Sequence, residues 1–488
     1  MSHGQTYLYN NDQTYYNQDY WSTIDFYHLP GTTVNTRLRN NYQAQSTASS
    51  KSWAGGSSIN GYVTAGMELA DPTSALTGKK SYFLFDNELV ALGAGITDTA
   101  TVDANNGNAP VYVHTTVDDR KLNSTGDNTF TVNGTVQSAS LAQGVQSLTG
   151  VNWAHLAGNT ASGSDLGYYF PGATSLKTER LARTGSWSLI TAGGSTTAVT
   201  KNYLNMYFDH GTAPTNASYS YVLLPNRTAS QTSAYASNPD ITVLRNDASA
   251  QAVKEKSVST VGANFWTDAL TTINVDGSAY LSSDKKASIM IKDWGTSLDI
   301  SASDPTQSNT GVINFEIQRS ASGVAFNDAN VTVIQTSPTI KFSVNVNGKK
   351  GAAARVKFNL AATPTTTRYE AESAALTGVT VATSKAGYSG TGHVLASSFE
   401  ATGDKIVFSV NAPAAGTYQL KVRYADEVDK AQYLKVNGVS LSNLSLPSSS
   451  GSWMDANYGG ITLNAGSNTI EISKFYGWSD IDYIEISQ

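Results

Sequence analysis

The block Lys79–Ile96, KKSYFLFDNELVALGAGI, constrains the fold more than any other stretch of the chain. Its two apolar runs, Tyr82 to Phe85 and Leu89 to Leu92, flank Asp86-Asn87-Glu88, residues that tolerate a tight turn. Such a block reads as a buried β-hairpin. Apolar side chains on both faces imply strands covered on both sides, in the middle of a large sheet or between two sheets. The acids at the tip leave two readings open, turn chemistry or a cation site.

Only 14% of the 488 residues are charged, and Tyr (26) far exceeds Phe (14). That balance suits β-sheet surfaces and sugar-facing clefts better than helices. The length allows two to four domains. A net charge of −6 gives no basic footprint, which argues against nucleic acid or an anionic membrane as partner. No run approaches the ~18 apolar residues of a membrane span. Cysteine is absent, so disulfides, thiolate zinc sites and a Cys nucleophile are excluded. MSHGQTYLYNNDQTYYNQ lacks the basic and apolar regions of a signal peptide, which leaves a cytosolic protein or an internal piece of a longer secreted one.

Residues 5–20 alternate briefly and suggest a strand; Pro30-Gly31 turns the chain. Residues 45–61 read as a Gly/Ser loop around Trp53, and residues 139–157 as a short helix or a loop around Trp153. Strands are expected over residues 110–117, 129–136, 167–170, 187–191, 205–209 and 219–224, and a second period-two series runs from Ile241 to Val346. The expected domains are 1–236, 237–362, a Thr/Pro linker at 363–367, and 368–488, in which Asn437-Gly438 marks a hairpin. The predicted fold class is all-β: a large antiparallel supersandwich, a smaller β-sandwich and a C-terminal jelly roll.

Phosphate loops, HExxH, GxSxG and Cys/His clusters are missing. Six His stand singly at positions 3, 28, 114, 155, 210 and 393, with no pairing visible. The residues alone therefore describe a β-rich, carbohydrate-facing chain with no identifiable active site.

Six motifs add a resemblance. TYLYNND, WSTIDFYHLPGTT, KKSYFLFDNELVALGAGI, HTTVDDRK, LGYYFPGATSLKTERLARTGSWSLI and ITVLRNDASAQAV occur in the order and rough spacing of the β half of polysaccharide lyase family 8. That family comprises the hyaluronate, chondroitin AC and xanthan lyases, and the xanthan-cleaving members are the most similar. The resemblance covers about residues 1–360. It implies β-elimination at a uronic acid of an acidic polysaccharide, xanthan or a glycosaminoglycan, by a secreted, extracellular enzyme. It also implies that the catalytic Asn, His, Tyr and Arg sit on an N-terminal (α/α) toroid, the expected partner domain or chain, so none is assigned here. Met1 is then either a true start or an internal residue of a precursor. One departure is His28, where the family usually has an Arg.

By the same resemblance Arg183 aligns with an arginine that in xanthan lyases meets the carboxylate of the pyruvylated mannose, with Arg180 and Arg120 as weaker candidates. Arginine suits a planar anion because its donor fork binds bidentately. Asp86, Asn87 and Asp247 occupy positions resembling a calcium site, and hard oxygens are what Ca²⁺ requires. TRYEAESA, GYSGTGHV, YQLKVRYAD, LNAGSNTIEI and WSDIDYIEI resemble a carbohydrate-binding module of the family 6 and 35 type. That likeness implies a structural Ca²⁺ on Glu370, Glu372 and Asp482. It also implies sugar contact by Tyr388, Trp453 and Trp478, with Asp480 as polar partner, because a flat ring stacks on a pyranose.

Overall fold

The computed structural model describes residues 3–17, 19–39, 49–161, 163–361 and 366–487. They form two compact units, Met1–Ala361 and Ala362–Gln488.

In the first unit the hairpin forms as its apolar runs require. Thr77–Leu84 pairs antiparallel with Leu89–Thr97, with Leu84 opposite Leu89. It lies inside a 12-stranded sheet, between Ala217–Pro225 on one side and Tyr62–Ala70 on the other. Ala91 and Ile96 join a core with Val113, Phe170 and Tyr221, whereas Phe83, Val90 and Leu92 join another with Val253 and Met290. Two covered faces explain why the block is apolar without alternation. The same sheet continues through Leu166–Gly185, Val199–Asp209, Val113–Lys121 and Thr33–Asn35.

Behind it, residues 241–360 build a seven-stranded and a five-stranded sheet around a core that includes Phe265, Ile289, Phe315, Phe342 and Phe358. The second unit packs two six-stranded sheets around Phe408, Tyr424, Ile472 and Ile484, a jelly-roll sandwich. Asn437 takes φ of 51° in the turn between Lys430–Val436 and Val439–Ser440, the left-handed geometry of an Asn-Gly hairpin.

Several local expectations give way. Residues 139–157 hold a strand, Gln146–Leu156, because pairing with Leu166–Gly185 overrides its Ala, Leu and Gln content. Trp187–Leu189 is a 3₁₀ turn, and residues 5–20 contain a 3₁₀ turn at Gln13–Tyr16 instead of a strand. The expected 45–61 loop becomes a strand at Ala54–Ile59, with residues 45–48 outside the described set. Trp53 is buried, donates to the Phe265 carbonyl at 3.1 Å and packs on Trp266. Of the linker, residues 363–365 lie outside the described residues, while Thr366 and Thr367 already belong to the strand Thr366–Glu370. The helix Ala229–Ser237, capped reciprocally by Thr228 and Gln231, has no counterpart in the expectations.

Candidate functional site

The long strand Leu166–Gly185 carries Arg183 opposite Lys201. Arg183 is not a solvated loop residue: its side chain is 12% exposed, lies over the Tyr203 ring at 4.6 Å and donates from Nη1 to Asp119 Oδ2 at 2.6 Å. Burial raises the Asp119 carboxyl to about 6 although Arg183 opposes it, and Asp25 adds to the rise. The arginine is therefore held by a buried carboxylate whose pKa burial pushes up and the guanidinium pulls down. Arg180 donates to the carbonyls of Gly126 and Asn128, and Arg120 is buried over the Tyr15 ring at 3.6 Å. Both side chains are buried, Arg120 with Nε and Nη2 and Arg180 with Nε lacking a hydrogen-bond partner.

At the hairpin tip the partners differ from those expected. Carboxylate oxygens of Asp86, Glu88 and Glu255 lie within 4.8 Å of one another, Asp86 exposed and the other two buried. Asn87 donates to Asp86 at 2.9 Å. Asp247 is not in the group; it pairs with Arg245 at 2.7 Å and accepts from the Ser249 and Ala250 amides. Glu88 rises to about 7, first from burial and then from repulsion by Asp86 and Glu255. Three hard oxygen donors from two sheets, mutually repelling, suit a Ca²⁺-like cation better than they suit one another.

In the second unit Glu370, Glu372 and Asp482 converge on the segment around Gly390. Asp482 accepts from the Ser389 amide, Glu370 from its hydroxyl at 2.8 Å, and Glu372 from the Thr391 amide at 2.7 Å. Burial and the two glutamates raise Asp482 to about 6, and Glu370 Oε2 and Glu372 Oε2 are buried without a hydrogen-bond partner. Orphaned carboxylate oxygens facing like charges fit a hard cation. Nearby, Tyr388 and Trp453 pack on His393 at 5.8 and 5.3 Å, and Trp453 donates to the Ala386 carbonyl. Asp480 is buried, accepting from the Ala396 amide at 2.7 Å and facing Lys385 at 3.3 Å. Trp478 is 49% exposed with Lys430 over its ring at 5.4 Å. Burial raises the neighbouring Asp426 to about 7, with Ser479, Lys430 and Lys385 opposing the rise.

Sequence reasoning missed Asp119, Glu255, Lys385 and the pairing of His28 with His114, whose facing nitrogens are 3.2 Å apart. Each depends on a contact between positions far apart in the chain. Glu88 was among the acids singled out at the hairpin tip, though not among the ligands expected from the resemblance.

Sandwich domains in series and a jelly roll with aromatic rings around one of its loops define the fold class, which by itself does not fix a function. Comparison with known proteins narrows the class. Residues 1–236 match the polysaccharide lyase family 8 super-sandwich domain, residues 242–313 the C-terminal beta-sandwich domain of the same family, and residues 367–488 carbohydrate binding module family 35. The chain belongs to polysaccharide lyase family 8 through its first two domains and carries a family 35 module as its third. A xanthan lyase of Bacillus sp. (strain GL1) is 47% identical over 360 residues, 73% of this chain and 37% of that protein. A hyaluronate lyase of Thermasporomyces composti is 33% identical over 369 residues, 73% of this chain and 43% of that one. Among solved structures, a Paenibacillus xanthan lyase superposes with a TM-score of 0.68 at 38% identity, covering 99% of this chain and 47% of the other. The chain thus spans less than half the length of these three relatives.

Proposed function

We propose that this chain is the β-domain part of an extracellular polysaccharide lyase that cleaves by β-elimination at a uronic acid, releasing the terminal pyruvylated mannose of xanthan. The observation that carries the reading is Arg183, held by Asp119 on the strand that matches the xanthan lyases, a guanidinium preset for a sugar carboxylate. β-Elimination needs the uronate carboxylate neutralised, the C5 proton removed and the leaving O4 protonated. We assign those steps to a helical toroid outside these 488 residues and give the β part the far wall of the cleft. Ca²⁺ is proposed at Asp86, Glu88 and Glu255, tying the hairpin to the second sandwich, and at Glu370, Glu372 and Asp482 in the module. Tyr388, Trp453 and Trp478 with Asp480 form the module's proposed glycan contact.

A hyaluronate or chondroitin substrate is the second reading, favoured by the hyaluronate lyase relative. Steady-state kinetics on the chain joined to the upstream helical part of a family 8 lyase separate them: Arg183→Ala is expected to raise KM for pyruvylated xanthan about tenfold and to change KM for the unpyruvylated polymer little. Equal effects on both polymers would refute the role given to Arg183.

A further inference from the structure

On the outer face of one sheet of the second unit, the strand Met454–Leu463 slips its register against Gly416–Ala425. Leu420 pairs with Gly459 and Lys421 with Asn457, so Tyr458 is the extra residue of a β-bulge. Its ring packs against the core, and its hydroxyl lies 2.7 Å from that of Ser442. Gly459 follows at φ 106°, and a Cβ built there meets nothing within 4 Å. Neither residue covers the face, and a trough of about 280 Å³ opens beside them.

Thr366, Gln419, Lys421, Asn457, Glu485 and Ser487 line the trough. Register sets Arg368, Glu485, Lys421 and Asn457 in one row across four neighbouring strands. The charged members neutralise one another. Arg368 donates twice to Glu485, at 3.1 and 2.8 Å, and Lys421 Nζ lies 2.6 Å from Glu485 and 3.1 Å from Asp455. Two cations thus face two carboxylates, and a uronate finds no unpaired cation there. The side chains of Thr366, Gln419, Asn457 and Ser487 have no hydrogen-bond partner among the described residues. Amides and hydroxyls both donate and accept, as sugar hydroxyls do. A peptide anchored by an apolar side chain has nothing to pack on, because Leu420, the apolar side chain at the trough, is 1% exposed.

We propose that this trough is a second glycan-binding site of the module, one that takes an uncharged sugar residue of a polysaccharide. It is separate from the contact assigned to Tyr388, Trp453 and Trp478. Trp453 immediately precedes Met454, which pairs with Tyr424, and Trp478 stands two residues before Asp480, which pairs with Ala425. Both tryptophans therefore stand at the Ala425 end of the strand Gly416–Ala425. Gln419 lies five residues back from Tyr424 on that strand, about 17 Å away. The trough is slightly smaller than the ~300 Å³ at which ordinary small-molecule sites begin, which suits a sugar ring. Two sites on one rigid module engage one polymer at high effective concentration, so a long polysaccharide is held more tightly than a short fragment that fills either site alone.

Calorimetry on the 488-residue chain carrying Trp453→Ala and Trp478→Ala, which removes the loop contact, isolates the trough. The probes are two uncharged oligosaccharides, cellohexaose and mannohexaose. One of them at least is expected to bind with a single site per chain, and Gln419→Ala with Asn457→Ala is expected to weaken that binding about tenfold. Gln419→Trp, which fills the trough, is expected to act in the same way. Gln419 and Asn457 are both exposed, so the melting temperature is expected to stay at the parent value in each variant. Binding of neither probe, or binding that survives these substitutions, would overturn the site. Tighter binding of tetragalacturonate than of either hexaose, lost with Gln419→Ala and Asn457→Ala, would overturn the uncharged sugar. If Trp453→Ala and Trp478→Ala leave total binding of the probes unchanged, the loop contact fails, while the trough stands or falls with its own variants.

Discussion

Arg183 and Asp119 stand or fall together. The Asp119 side chain is wholly inaccessible, so deleting the arginine strands a buried carboxylate, a loss of about 3 kcal/mol in comparable pairs. Arg183→Lys retains the charge and removes the fork. Its melting temperature is expected to stay nearer wild type than that of Arg183→Ala, while KM for pyruvylated xanthan rises about tenfold; a lysine variant with unchanged KM would show that charge alone suffices. Glu88 gives a second prediction at this scale. Its folded-state value of about 7 exceeds the usual 4.5 of a free glutamate, so the folded chain binds more protons between those values. Without divalent cations stability is expected to fall as pH rises through that window and to level off above it. Glu88→Gln should abolish most of that slope in a thermal scan against pH, and added Ca²⁺ should reverse it in wild type. A slope that survives the substitution would assign it to other groups.

At the scale of elements, the two carboxylate clusters differ: Glu255 stands on a strand of another sheet than the hairpin that carries Asp86 and Glu88, whereas Glu370 and Asp482 stand on strands already paired with each other. In the second unit, Gly390 sits at φ 63° with its Cα turned toward the acids, and a Cβ built there would come within 2.1 Å of Glu372 Oε1. Gly390→Ala is therefore expected to lower the calorimetric transition of the module and to remove its response to chelator, whereas in wild type EDTA lowers that transition by several degrees, as ~1 kcal/mol or more does in a domain this size. A transition indifferent to EDTA would remove the cation from this unit. The elements were legible where one local signal sufficed: the Lys79–Ile96 hairpin from its two apolar runs, the module's turn from Asn437-Gly438, and the alternating strands of the second series. They were illegible where tertiary pairing decided. Gln146–Leu156 is a strand only because Leu166–Gly185 lies beside it, and Trp53, in an expected loop, packs against the sheet under Phe265 and Trp266. The site followed the same division. Glu370 and Glu372, two apart in sequence, could be read as a pair, while Glu255, Asp119 and the His28–His114 contact join residues 86 or more positions from the acids, arginine or ring they meet, or 64 in the case of Asp119 and Arg183.

For the whole molecule the account divides labour. We propose that these 488 residues supply sandwiches, an arginine for an acidic sugar and a binding module, and that the proton-transfer groups belong to a helical domain. The most direct test follows absorbance of the unsaturated uronate when xanthan is incubated with this chain alone and then with the chain joined to the upstream helical part of a family 8 lyase. The account predicts no turnover from the chain alone and turnover from the joined protein. Uronate formation by the isolated 488 residues would contradict it, because the base would then have to be among them.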